Sequence, residues 1–228
     1  MNAPADQATP VVEAAPVQQP DDLTSRALRQ RIQQQKLLAE LGVLALQGTS
    51  FIGMLNHTAR MTAEGLEAEY CKVMEYIPVE NRLLVRAGVG WDEGVVGKAS
   101  VGADLESPAG YALHTGLPVI SNHLENEQRF RTPELLVMHG IRRAMNVILQ
   151  GDGKPFGVLE VDSRSDNDFL EHDLAFLQGA ANILGMAIER ERHGRRLAAA
   201  LERDQLLLKE VKIAILSIQA MEAVISRG

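Results

Sequence analysis

The chain has 228 residues, with 23 Lys and Arg against 30 Asp and Glu, a net charge of -7 and a single cysteine, a length that suits one domain of ~100–200 residues plus extensions. One cysteine excludes a disulfide framework and any multi-cysteine zinc or iron–sulfur site, and the acidic balance argues against nucleic-acid binding. No run of ~18 apolar residues suggests a membrane helix, the first residues lack the pattern of a secretory signal, and a cytoplasmic protein with a mainly aliphatic core is expected, 46% of residues being hydrophobic and 4% aromatic.

Residues 1–22 stand apart. They hold Pro4, Pro10, Pro16 and Pro20, no Lys or Arg, and Asp6, Glu13, Asp21 and Asp22, which supply more than half of the net charge. Such a segment buries too little apolar surface to offset its ordering entropy, so a disordered leader is expected. A helix is predicted over 23–50, capped near Asp22–Thr24, with Leu28, Ile32, Leu38, Leu41 and Ala45 on one apolar face. Gly48–Ser50 interrupt it, and Ser50 caps a second amphipathic helix carrying Phe51, Met54, Leu55, Thr58 and Met61 as far as Gly65.

From Glu69 the period changes to two, and Tyr70–Tyr76 with Arg82–Ala87 are predicted as a hairpin turned at Glu80-Asn81. A Gly-rich passage around Trp91 follows. Ser107-Pro108 then opens a short helix that stops at Gly116. Pro118–Ile120 is a short strand, Pro133 to His139 a helical turn, and Ala144–Leu149 and Gly157–Val161 are strands joined by Gly151-Asp152-Gly153.

The strongest helical pattern runs from Glu171 to Ser226. Leu174, Leu177, Ala181, Leu184 and Ile188 keep heptad spacing. After the charged stretch 189–196 the seam resumes at Leu201, Leu208, Val211, Ile215 and Ile218 in another register, which predicts a stutter. At 1.5 Å per residue the helix measures ~80 Å, too long for a domain of this size to bury. Its second seam is therefore expected to pair in a parallel homodimer. The order of elements suits an α+β fold, a small antiparallel sheet with helices on one face.

Several phrases, in this order, resemble the GAF domain, a small-molecule sensor fold. They are Val85-Arg86-Ala87-Gly88-Val89-Gly90, the stretch Gly110–Ile120, His139-Gly140-Ile141-Arg142-Arg143, the stretch Pro155–Val161, and Phe169, Asp173, Leu177 and Gln178. The resemblance covers about 37–192. It implies a GAF-like central antiparallel sheet flanked by helices, with long N- and C-terminal signalling helices, the latter a coiled coil over 193–228. The wording is most similar to GAF domains ahead of alphaproteobacterial histidine kinases. Leu206–Lys212 resembles the approach to the kinase dimerisation helix, but Lys209, Lys212 or Ile213 stands in place of the phosphoacceptor histidine, and the last histidine is His193. No ATP-binding domain follows in the chain. The resemblance thus implies a sensory and regulatory module of a two-component-type pathway, without kinase activity of its own, that works with a histidine kinase or another signalling protein. Whether it is the sensor part of a longer kinase or a kinase relative is left open at this level.

The same resemblance points to a pocket formed by Tyr111, Phe130, His139, Arg142 and Asn146, with Trp91 on a covering loop, for a ligand the sequence does not name. Arg129 and Arg131, with Arg142-Arg143, suit a carboxylate or phosphate, and solvated loop charge explains them as well. Met138 stands where tetrapyrrole-binding relatives carry their cysteine, which argues against a covalent bilin; Cys71 suits a small buried apolar role. One cysteine cannot run the thiol–disulfide cycle of enzymes resembling free-methionine-sulfoxide reductases. Leu174 replaces the Glu of the cyclic-nucleotide phrase that Phe169 and Asp173 begin, and helix-start packing and charge account for both. His57, His114, His123, His139, His172 and His193 are scattered without metal spacing. Ser107, His139 and Asp162 form a triad only by chance, and the Gly-rich loop lacks both phosphate-binding motifs. No catalytic or metal-binding set is expected; the competing expectation is an enzyme that uses the same pocket.

Overall fold

The computed structural model describes residues 20–151 and 153–225, with side chains within 24–213 and at Ile215. Residues 1–19 of the expected leader, Asp152 of the expected turn and the Ile218 side chain lie outside that range. Helix α1 spans Pro20–Leu46, so the last three residues of the expected leader are helical. Its buried stripe is Gln34, Leu37, Leu41 and Ala45, whereas Leu28 and Ile32, expected on that face, are about 60% exposed. The face is set by a polar residue: Gln34 Nε2 donates to the Gly65 carbonyl at 3.0 Å and to Asp173 Oδ1 at 3.3 Å, which satisfies its amide inside the core. Helix α2, Phe51–Gly65, is capped by the Ser50 hydroxyl, which accepts from the Gly53 N–H at 3.2 Å.

Strands β1 (Tyr70–Ile77) and β2 (Arg82–Val89) form the first hairpin, its connection closed by Asn81 in the left-handed region. β3 (Ser100–Gly102) lies in the Gly-rich passage, where three residues with one buried side chain leave no period to detect. Helix α3 (Pro108–Thr115) starts on the Ser107 cap and ends at Gly116, whose φ of +73° favours glycine. Then come β4 (Val119–Ser121), α4 (Glu134–Met138), β5 (Arg143–Gly151), β6 (Lys154–Ser163) and the 55-residue α5 (Glu171–Ile225).

The six strands form one antiparallel sheet in the order β3-β2-β1-β6-β5-β4. Its inner face, with Cys71, Val73, Ala87, Val147, Leu159 and Val161, packs on α1, α2 and the first part of α5. Its outer face is covered too, contrary to the expectation of helices on one side only. Ala109 and Ala112 of α3, Leu136 of α4 and the loop around Trp91 close it in two smaller apolar clusters. A bulge makes β2 serve both faces: Ala87 pairs with Val73 but Val85 with Met74, so residues two apart point to opposite sides.

The heptad-like spacing in α5 has two origins. Leu177, Ala181, Leu184 and Ile188 are buried against the sheet, with Leu174 packed beside them. Leu197, Leu201, Leu208, Val211 and Ile215 are exposed beyond the domain. The change of register predicted at 189–196 is where the helix leaves the globule.

At Gly157 the central strands approach closely: a Cβ there would lie 1.8 Å from the Met74 carbonyl oxygen of β1. Gly157→Ala is expected to destabilise the fold by ~3 kcal/mol or more, measured by urea unfolding; a change within ~0.5 kcal/mol would contradict the packing.

Candidate functional site

A polar row crosses the outer face of the sheet. Lys72 of β1 sits opposite Glu160 of β6, and Glu160 opposite Asn146 of β5. One step along, Tyr70 pairs with Asp162 and Asp162 with Ala144. Alternation on these strands places Lys72, Glu160, Asp162 and Asn146 on one side, and all four are at most 1% exposed. Lys72 Nζ donates to Asp162 Oδ2 at 2.6 Å and lies 3.0 Å from Glu160 Oε1. Burial alone would lower the lysine's affinity for its proton, but Asp162 and Glu160 outweigh it and raise its pKa. Burial and the neighbouring Glu160 carboxylate hold the Asp162 carboxyl well above the usual range.

An aromatic layer lies over this row. The Trp91 ring packs 4.5 Å above Lys72 Nζ, and its Nε1–H donates to the Cys71 carbonyl at 2.9 Å. Tyr70 and His139 flank Trp91 with ring centroids 5.0 and 4.9 Å away. His139 Nδ1 is 2.8 Å from the Leu135 carbonyl, so that nitrogen carries the hydrogen; Nε2 is 3.3 Å from Asp92 Oδ2 without hydrogen-bond alignment. Both amide atoms of the buried Asn146, next to Glu160 in this row, have no hydrogen-bond partner among the described residues.

The structure brings together Trp91, His139 and Asn146 of the expected pocket. Tyr111 and Phe130 stack on one another in the adjoining apolar cluster, with centroids 5.7 Å apart. Arg142 is set apart, its side chain half exposed and paired with Asp166 at 2.8 Å. Arg131 is exposed, 3.7 Å from an exposed Glu106, whereas Arg129 and Arg143 are taken up by carboxylates and carbonyls. Arg129 binds Glu127 and the Ile120 carbonyl, its hydrogen bond holding the Glu127 carboxyl down to about 2. Arg143 binds Asp168 and the Ser165 carbonyl. Ser107 caps α3 and donates to the Gly102 carbonyl, apart from His139 and Asp162. Cys71 is buried on the opposite face, and burial pushes its thiol up, which leaves little reactive thiolate. Asp173 caps α5 by accepting from the Leu170 N–H at 3.0 Å. Among the described residues no three His, Cys, Asp or Glu side chains are grouped to hold a metal ion, and no helix is long and apolar enough to cross a membrane.

Sequence reasoning missed Lys72, Glu160 and Tyr70, and met Asp162 only in the discarded triad. Their signal was charge at alternate positions of otherwise apolar strands, Cys71-Lys72-Val73 and Leu159-Glu160-Val161-Asp162.

Removing one member of a buried ionic set leaves uncompensated charge, at ~3–5 kcal/mol. Lys72→Met is expected to destabilise by that amount at pH 7 in urea unfolding, and adding Glu160→Gln and Asp162→Asn to recover at least half of the loss. A fully additive triple variant would contradict the mutual compensation. Asp162 also predicts a pH dependence. With its folded pKa raised, its contribution is fully present below the unfolded value of 3.8 and is lost as pH rises through the folded value. Asp162→Asn is therefore expected to gain stability relative to wild type as pH rises from about 4; a constant difference would refute the direction of the shift.

Comparison with known proteins identifies the fold. The sequence matches the GAF domain over residues 50–188, more than half of the chain. No curated protein matches it. Among solved structures, the GAF domain of a phosphoenolpyruvate-protein phosphotransferase from Coxiella burnetii superposes with a TM-score of 0.63 at 17% identity, covering 74% of this chain and 98% of that one. The GAF domain of the Acinetobacter phosphoenolpyruvate-protein phosphotransferase gives 0.59 at 20%, covering 71% and 97%. Free methionine-R-sulfoxide reductase from Neisseria meningitidis, solved with its substrate, gives 0.61 at 19%, covering 71% and 91%. At these identities the likeness is one of fold, and with the match over 50–188 it makes the chain a member of the GAF domain family.

Proposed function

We propose that the chain is a cytoplasmic sensory and regulatory module that dimerises through α5. In this reading it binds a small molecule at the outer-face site and relays its state along that helix to a two-component-type pathway, without kinase activity of its own. A histidine kinase or another signalling protein receives the output. One observation carries the reading: α5 is a continuous helix whose first part is domain core and whose remainder presents an apolar seam to solvent. Such a seam is stabilised by a partner helix, and a second copy offers the same seam in parallel. The surface between α1 and α5 extends it onto the domain, where Val43, Leu46 and Met186 are exposed around Gly42.

The helix is held where it leaves the domain. Arg190 donates to the Ala45 carbonyl at the end of α1, and Arg192 to the Gly151 carbonyl at 3.2 Å while its guanidinium lies over Phe156. Arg195 lies over Phe51. Gly151 ends β5, the strand that carries Asn146, so a displacement at the site has a short route to the rotation of α5. A rotation or register change of paired helices is the two-state element such a relay requires.

Analytical ultracentrifugation is expected to give twice the mass of one chain, and Leu208→Glu with Ile215→Glu to return the monomer. A monomeric wild type overturns the proposal. Fused ahead of a histidine-kinase catalytic core, a chain lacking one residue within 189–196 is expected to change autophosphorylation several-fold; unchanged output overturns the relay and leaves the dimer standing.

A further inference from the structure

Where α5 leaves the domain, a cleft of about 510 Å³ opens on the inner-face side of the sheet. Its floor is apolar. Phe156 and Ile188 are buried members of the main core cluster, and Phe51 packs edge-on against Phe156 with ring centroids 6.0 Å apart. Its charged lining, among the described residues, is Arg86, Arg192 and Arg195 against Glu75 and Glu191. Three guanidinium groups to two carboxylates leave a formal excess of one positive charge. The volume is that of a small-ligand site, which combines an apolar wall with a few placed polar groups.

These two carboxylates do not use up the arginines. Glu75 is engaged by the part-buried Arg86. Glu191 reaches Arg195 one turn along α5 at 2.8 Å, but the two side chains are 39% and 71% exposed, and an exposed pair of this kind contributes little. Arg192 donates to a neutral group, the Gly151 carbonyl at 3.2 Å, which takes one of its five N–H donors. Rings orient both α5 arginines: the Arg192 guanidinium lies over Phe156 at 5.4 Å and that of Arg195 over Phe51 at 5.8 Å. Stacking holds the guanidinium planes and leaves their N–H edges for a planar or tetrahedral oxyanion. The two arginines are three residues apart on α5, so their side chains share a face. A cationic ligand would meet the excess positive charge, and a neutral one would leave the N–H edges without a charged acceptor.

We propose that this cleft is a second ligand site, for a small organic anion whose carboxylate or phosphate head is held by Arg192 and Arg195 and whose apolar body packs on Phe51 and Phe156. The bound anion takes the place of Glu191 at Arg195 and stands between α5 and β2, the strand that carries Arg86. The cleft shares no lining residue with the outer-face site, and the proposal stands whether or not that site takes a ligand.

Isothermal titration calorimetry of the full chain uses benzoate and phenyl phosphate, which share a ring and differ in head group, with benzyl alcohol and benzylamine as neutral and cationic counterparts. Saturable binding of at least one aryl anion is expected, weakened about tenfold or more by Arg192→Gln, a variant checked for folding by circular dichroism. The tighter of the two anions identifies the head group. Binding that Arg192→Gln leaves unchanged, equally tight binding of benzyl alcohol or benzylamine, or no saturation by either anion overturns the proposal. If Arg192→Gln fails to fold, Glu191→Gln decides. Removing the competing carboxylate is expected to tighten binding about threefold, and unchanged or weaker binding overturns the proposal. None of these outcomes bears on the dimer or on the outer-face site.

Discussion

A fully buried ammonium held between two carboxylates is the constraint around which the rest of this molecule is arranged. Lys72, Glu160 and Asp162 belong to the two central strands, β1 and β6. A slip of β1 by one residue would carry Lys72 through the sheet into the apolar layer of α1, α2 and α5, away from the carboxyl groups of β6 that pair it. The ion set therefore pins the register of the sheet's centre. It also demands a cover, because charge on an open face would be shared with water and would specify little. The small helices α3 and α4 and the Trp91 loop supply that cover, and the bulge in β2 lets one strand feed both layers.

The long helix shows one element answering two environments in succession. Against a sheet, a helix buries a stripe at steps of three and four, the same spacing that builds a coiled-coil seam. Leu177 to Ile188 and Leu201 to Ile215 look alike in sequence for that reason, yet the first set is core and the second is exposed. Between them Arg190, Arg192 and Arg195 reach back to the domain through carbonyls and aromatic faces. The charged stretch that breaks the apolar pattern is the fastening of the helix to the globule.

How far the site could be read from sequence depended on the kind of residue. His139 came from a family phrase, Trp91 and Asn146 from where the resemblance sets its pocket, and the fold brings the three to the outer face. Arg142 came from the same phrase as His139 and faces Asp166 instead, because a paired arginine motif does not say which member turns inward; Arg143 is the buried one. Lys72 and Glu160 were hidden by the ordinary reading of a hairpin. Alternating charge in a strand normally marks a solvated face, and only a second covering layer makes the same charges internal.

Local chemistry was enough to determine the order and type of the elements other than the short edge strand β3. The Ser50 and Ser107 caps, the change from helical to two-residue period at Glu69, the stop at Gly116 and the extent of the last helix depend on a few neighbouring residues. They hold whatever packs around them. Which faces are covered, where α5 leaves the domain and which charges are buried were decided only by the tertiary structure. Burial belongs to two surfaces that meet, and desolvation gives Lys72, Glu160 and Asp162 their significance only when strands 90 residues apart in sequence come within 2.6 Å.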